Sequence, residues 1–351
     1  MRAQVVLRGR TAVEFWQQTR LFEARENTRR DAALLTGGAA FERGSEARGV
    51  SGALRATDVL SNWRESVPAD HQARICANAA TELARCFGLG FPLMIHAGQI
   101  GNRRKSNLIE STRKTITGLS VIHVRDGVYV LSPESTLIDV SCDYELTDFL
   151  VLACGFASKF CIDPKANALL EAPAIMTTDS FTTAVIGNDY LHGIKQARQV
   201  ASLLVEGSRS PMETTLGLVL SLPYKMGGYG LPKPVLNQTI SLEKHPANQA
   251  KVQSIECDLL WPKDKIALFY DSNSEHLRPH QMANDARRNN ALNENGVRTI
   301  EITHEQFKNM PYMDHMANAL ARMMHVRIRP RRDDYYARKV RLRNLLRNAS
   351  W

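Results

Sequence analysis

The chain has 351 residues, 44% of them hydrophobic, and a net charge of +9. That length suits two domains of about 100–200 residues each, and the apolar content excludes a disordered polyelectrolyte. The longest apolar run, near Phe149 to Ala157, is far short of the about 20 residues a membrane-spanning helix needs, and no signal-peptide core follows Met1-Arg2, so a cytoplasmic protein without a membrane partner is expected.

Residues 4–7 read as a short strand. Thr11, with Glu14 three residues on, has the pattern of a helix N-cap. Phe15, Trp16, Thr19, Leu21 and Phe22 then fall on one side, so residues 1–26 read as a docking helix. Residues 27–67 carry Gly37, Gly38, Gly44, Gly49 and Gly52 among many arginines, the composition of a flexible linker with one short helix over 57–63. Asp70 caps a predicted helix over 68–87, whose apolar positions Ile75, Ala79, Leu83 and Cys86 recur at helical spacing. Strands are expected at 91–97, 120–124 and 128–130, the last two joined through Asp126-Gly127, a pair that favours positive φ. Arg103-Arg104-Lys105 falls in a loop between the first two. Ser132-Pro133-Glu134 has the chemistry of a helix start, and further helices are expected over 146–160 and 183–205. Residues 68–206 thus read as an α+β domain. Its hairpin suits the wing of a DNA-binding module, but no recognition helix accompanies it. The six cysteines (Cys76, Cys86, Cys142, Cys154, Cys161, Cys257) form no Cys-x-x-Cys pair and read as reduced thiols.

A second domain is expected over 207–310. Ser210 can cap a helix with Pro211 at its first position and Glu213 in its first turn. The glycine-rich 227–232 stretch does not lead from a strand into a helix, so it is no phosphate cradle. A strand follows at 235–240, then strand, turn, strand, helix and strand between 256 and 303. That pattern predicts an α/β domain with a small mixed sheet flanked by helices. Asp258 sits among apolar neighbours, where a carboxylate is costly unless paired or metal-bound. Asp271 ends the next strand, and His276 lies five residues beyond it. Acids on adjacent strand ends suit Mg²⁺, which lowers the pKa of its bound water and clamps phosphate oxygens, while a histidine can move the proton. Each residue also has a structural reading: Glu213 complements the helix dipole, Asp271 forms a turn, His276 is a surface histidine, and Arg287 and Arg288 are solvated.

These motifs resemble a known family. Ser210-Pro211-Met212-Glu213, Asp258 before Leu-x-Trp-Pro, Tyr270-Asp271-Ser272 with His276, and Asp285-x-x-Arg288-x-x-x-Leu292 resemble the endonuclease-domain proteins of the restriction-endonuclease-like superfamily. That superfamily comprises the PD-(D/E)XK nucleases and their very-short-patch-repair relatives. The likeness covers residues 207–307. Upstream, from about residue 91, the chain more weakly resembles AbiEi-type antitoxin regions of actinobacterial type. The resemblance implies catalytic Glu213, Asp258, Asp271 and His276, with Glu213, Asp258 and Asp271 holding Mg²⁺ if the site is active. One departure matters: Phe269 stands where the family has a second metal-facing glutamate. Because Phe269 lies two residues before Asp271 on a strand, the two are expected to share a face.

Residues 311–351 read as a basic helical tail, whose last thirty residues, 322–351, hold ten basic residues against Asp333 and Asp334. Such density suits a phosphate-binding surface. Arg287, Arg288, Arg329, Arg331, Arg332, Arg338, Lys339 and Arg341 are the candidate nucleic-acid contacts. Three functions follow. The first is a nuclease-fold DNA-binding protein with a degenerate metal site, regulatory or antitoxin-like, with DNA and a cognate toxin as partners. The second is an active Mg²⁺-dependent endonuclease using Asp258, Glu213 and His276. The third is a protein-interaction module. No pattern speaks to the oligomeric state.

Overall fold

The computed structural model describes residues 5–35, 54–55, 78, 82, 85, 88–96, 107, 109–111, 116–125, 128–242, 254–271, 279–330, 333–349 and 351. Most of the linker over 27–67, most of the helix over 68–87, the Arg103-Arg104-Lys105 loop and the Asp126-Gly127 turn lie outside them. The chain divides into two compact units, Met1–Phe149 with Cys161–Ser202, and Leu150–Phe160 with Leu203–Trp351. Both mix helices with strands. Among the described residues no helix is long and apolar enough to cross a membrane.

The first unit is built on a six-stranded mixed sheet. In chain order its elements are β1 (Val5–Leu7), α1 (Gly9–Leu35), β2 (Leu54–Arg55), β3 (Leu93–His96), β4 (Ile109–Ser111), β5 (Ser120–Arg125) and β6 (Val128–Leu131), and the sheet order is β2-β5-β6-β1-β3-β4. The β5–β6 hairpin is flanked by β2 and β1, so it is an interior part of the sheet and not a free wing. There follow α2 (Pro133–Val140), α3 (Leu146–Phe156), which passes into the second unit at Leu150, the hairpin β7 (Phe160–Asp163) and β8 (Ala168–Glu171), α4 (Thr178–Val185) and α5 (Ile194–Leu203).

Several expectations change here for local reasons. Thr11 is not the cap of α1. The helix starts at Gly9, whose N–H donates to Asp139 at 3.1 Å, while Thr11 Oγ1 accepts from the Met94 N–H at 2.8 Å. The helix also runs on to Leu35 rather than stopping at 26. Phe22 is 63% exposed, so it is not part of the buried side with Phe15, Trp16 and Leu21. The helix expected over 146–160 stops at Phe156, where Ser158 Oγ donates back to the Gly155 carbonyl and the chain enters β7. The helix expected over 183–205 is two helices, because Gly187 and Gly193 both take positive φ between them. Ser132 does cap α2, accepting from the Ser135 N–H at 3.2 Å.

The second unit carries the candidate site. Its elements are α6 (Pro211–Ser221), a 3₁₀ turn at Tyr224–Met226, β9 (Val235–Ser241), β10 (Ser254–Trp261), β11 (Ile266–Asp271), α7 (Pro279–Glu294), β12 (Arg298–Thr303), α8 (His304–Lys308), α9 (Met310–Met323) and α10 (Tyr335–Arg347). The sheet order is β12-β11-β10-β9, with β11–β12 parallel through α7 and the other pairs antiparallel. This is the small mixed sheet with helices that the pattern predicts. Ile255, Cys257, Leu260, Ala267, Phe269, Leu292 and Val297 pack together between the sheet and α7. Trp261 is buried and its indole N–H donates to the Pro232 carbonyl at 2.7 Å, fixing the end of β10.

The 311–351 segment is folded into this unit. At the start of α10 the backbone passes so close to Gly227 that a Cβ there would collide with the Arg338 carbonyl. Lys339 is buried, with Nζ 2.6 and 2.9 Å from the two Asp314 oxygens. It also lies 5.5 Å from the Tyr229 ring centre and 5.0 Å from that of Tyr335. Tyr229 Oη donates to the same Asp314 at 2.6 Å.

Among the described residues the first unit holds a deeply buried charge pair. Arg8 and Asp139 are both almost wholly buried and meet through two contacts, at 3.1 and 2.5 Å. Arg8→Met is expected to lower the unfolding free energy by about 3–5 kcal/mol, because it leaves Asp139 buried without its cation. Urea denaturation checks this, and Arg8→Met with Asp139→Asn should recover part of the loss.

Candidate functional site

The site begins at an irregularity in the sheet. In the β9–β10 ladder Cys257 pairs with Gln238 and Leu259 with Leu236, so Asn237 and Asp258 face each other. Asn237 has φ of 49°, a left-handed conformation that asparagine tolerates better than most residues. The side-chain alternation shifts by one at this pair. Ile255 and Cys257 before it, and Leu260 after it, all belong to the cluster under α7. Leu236 instead packs beside Gly217 of α6. Asp258 is therefore a mid-strand residue, not the strand-ending acid expected from the sequence.

That shift turns the Asp258 carboxylate toward the neighbouring strand. The last paired residues of β10 and β11 on this side are Leu259 and Leu268. Beyond them the Tyr270 N–H donates at 2.7 Å to Asp258 Oδ2 in place of a backbone carbonyl. Burial pushes the Asp258 carboxyl up to about 6, with Glu213 and Glu256 adding to the rise and the Tyr270 amide and Arg288 opposing it.

Glu213 comes from the first turn of α6. Its N–H donates to Ser210 Oγ at 3.2 Å, and Ser210 Oγ donates back to Glu213 Oε1 at 2.9 Å. Oε2 accepts from the Arg209 N–H at 2.8 Å and from Asn237 Nδ2 at 2.5 Å. Asn237 Nδ2 also donates to the Gly207 carbonyl at 3.0 Å. Glu256 is ion-paired with Arg209 at 2.5 Å. Thus Glu213 and Asp258 do converge, and Asn237, Glu256 and Arg209, absent from the sequence-based candidates, complete the group. Asn237 is legible only as a polar residue in a strand, since its role depends on Glu213 across the fold.

Asp271 ends β11 as expected, half-buried and in register with Thr303. Phe269 goes into the apolar cluster under α7, with the Arg288 guanidinium 4.0 Å from its ring centre. Arg288 also bonds Glu301 at 2.9 Å and Asp285 at 3.1 Å. Arg288 thus has partners within the fold on three sides, Phe269, Glu301 and Asp285. His276, Arg331 and Arg332 lie outside the described residues. A different histidine is present: His304, first residue of α8, has Nδ1 2.7 Å from Tyr270 Oη. Burial, then Asp271 and Glu305, pushes the Tyr270 phenol up to about 12, and the His304 tautomer decides which of the two groups donates. The Thr303/Gln306 capping box, which starts α8, is the sequence signal that locates His304.

Of the other basic candidates, Lys339 is buried against Asp314. Arg338 bonds the Lys225 carbonyl at 2.8 Å and Asp334 at 2.6 Å. Arg287, Arg329 and Arg341 are exposed. Among the described residues no three His, Cys, Asp or Glu side chains gather closely enough to hold a metal ion. Glu213 and Glu256 lie close enough to Asp258 to raise its carboxyl.

The Asp258 shift has a pH signature. Its folded carboxyl holds its proton more tightly than the unfolded one, so stability falls as pH rises from about 4 through about 6, and the penalty is complete above that. Asp258→Asn keeps an oxygen for the Tyr270 amide. It is expected to leave stability unchanged at pH 4 and to raise it by about 1–3 kcal/mol at pH 8, read by urea melts at both pH values. No known protein family, curated protein or solved structure matches the chain.

Proposed function

We propose that this chain is a nucleic-acid-binding protein on a restriction-endonuclease-like fold, its acidic centre kept as scaffold and not as a catalytic metal site. The observation that carries this reading is the occupancy of the carboxylates by the protein's own donors. Both Glu213 oxygens accept hydrogen bonds, Glu256 is paired with Arg209, and one Asp258 oxygen accepts the Tyr270 amide. Mg²⁺ binds through open carboxylate oxygens together with water. Phe269, at the place where the resemblance expects a glutamate, fills the apolar cluster beneath Arg288. The mixed sheet, with a helical crossover between its parallel strands, supports the fold assignment. Exposed Arg287, Arg329 and Arg341 support binding to a polyanion. A regulatory or antitoxin-like role accords with such a protein.

A second reading, an active Mg²⁺-dependent endonuclease, is favoured by one observation. Glu213 and Glu256 both raise the Asp258 carboxyl. Clustered like charges of this kind are costly, and active sites retain them. A divalent cation would relieve that repulsion and supply a hydroxide.

Plasmid nicking with Mg²⁺ or Mn²⁺ separates the readings, using the parent, Asp258→Ala and Phe269→Glu. We expect no cleavage by the parent; cleavage that Asp258→Ala abolishes establishes the endonuclease instead. Duplex and single-stranded DNA should bind with a log–log salt slope of about −3 or steeper, as several displaced counterions require. Binding absent at low salt, or insensitive to salt, removes the nucleic-acid reading and leaves a protein-interaction module.

A further inference from the structure

We infer that the exposed face of α10 is a binding surface for single-stranded nucleic acid, with Tyr336 as a stacking platform and Arg341 and Arg347 as phosphate partners. The inference rests on the nucleic-acid reading above and gives it a location and a strand form.

The helix has two unlike sides. Lys339, Leu342 and Leu346 are buried, and the Lys339–Asp314 pair and the close approach to Gly227 hold the helix in place. The other side carries Tyr336, Ala337, Val340, Arg341, Asn344 and Arg347, all exposed. Tyr336 is 64% exposed, with Lys339 Nζ 5.7 Å from its ring centre. At about 1.5 Å rise per residue the stripe from Tyr336 to Arg347 is about 16 Å long.

Charge identifies the partner. From Tyr335 to Arg347 the helix contains five cations and no acid. Arg338 is answered by Asp334 and Lys339 by Asp314, so the uncompensated charge falls on Arg341, Arg343 and Arg347. Arg343 donates to the Phe307 carbonyl, which leaves its charge unneutralised. Arg329 extends the cationic surface near the start of α10, where its N–H donates to Tyr224 Oη and Tyr224 meets Tyr335 edge-on. A ring set among cations gains little from a duplex, whose bases are stacked inside. It gains much from a single strand, whose bases offer open faces while phosphates meet the arginines. A rigid helix presents these groups at low ordering cost.

The test is fluorescence anisotropy of the full chain with a labelled mixed-sequence 20-nucleotide single strand and the matching duplex, at 50 and 200 mM salt. The single strand should bind more tightly. Tyr336→Ala should weaken it roughly tenfold, within the range that base stacking supplies, while Tyr336→Phe should stay within about twofold of the parent. Arg341→Gln should reduce the salt slope by about 1. Because Tyr336 is exposed, an unchanged melting temperature will show that the variants remain folded. If Tyr336→Ala leaves single-strand binding unchanged, or the duplex binds as tightly in every variant, this surface is wrong while nucleic-acid binding stands. If neither form binds at 50 mM salt, both readings fall. If polyglutamate competes as well as the oligonucleotide, the face serves an acidic protein and the inference is overturned.

Discussion

The second unit turns on the hydrogen bond from the Tyr270 amide to Asp258. A buried backbone donor must find an acceptor, and at this point β10 has changed the side on which its residues face. The carboxylate fills the gap, so β10 and β11 stay joined although their regular pairing has stopped at Leu259 and Leu268. The same irregularity brings Asn237 within reach of Glu213, which ties α6 to β9. One local departure from strand geometry thereby places three carboxylates near one another. Their mutual repulsion is tolerated because Arg209, Arg288 and backbone donors surround them. The acidic centre is thus as much a consequence of how the sheet is joined as a provision for chemistry.

The basic residues divide in the same way between structure and surface. Arg288 lies flat on Phe269 and bridges two acids; Lys339 is enclosed by tyrosines and Asp314; Arg338 fastens α10 to the 3₁₀ turn. These cations have partners that define their positions, and moving them to a ligand would break packing. Arg287, Arg329 and Arg341 have long side chains in solvent. The number of basic residues therefore overstates the cationic surface that a ligand meets, since several of them are paired with acids inside the fold.

What could be read from the chain followed how local each signal is. Ser132 and Ser210 announced their helices because a cap and the N–H group that donates to it lie within four residues. Thr11 carried the same signature, but the start of α1 is set by Asp139, which is 130 positions away. Gly187 and Gly193 break a helix whose apolar period continues through them, so periodicity joined what positive φ separates. Asp258 and Glu213 were legible as site residues by their chemistry in apolar or helix-capping surroundings. The shift of face at Asn237 and the commitments of Arg288 and Lys339 were not, because each depends on partners brought together only by folding.

The composition of the second unit has a consequence for how the chain is made. Leu150–Phe160 belongs to it although Cys161–Ser202 belongs to the other unit. The Gly207 amide donates to the Ala157 carbonyl, and the Lys159 amide to the Ser208 carbonyl. Trp351, at the other extreme of the sequence, packs its ring 6.5 Å from that of Phe160. During synthesis this early segment emerges long before the strands and helices that will cover it. It must wait, with its apolar residues open to mispairing, until Gly207, Ser208 and the elements after them have been made. A fragment begun at residue 207, where the composition suggests a border, would lack that segment altogether. The two units are therefore not cassettes that recombination could exchange at a single crossover point.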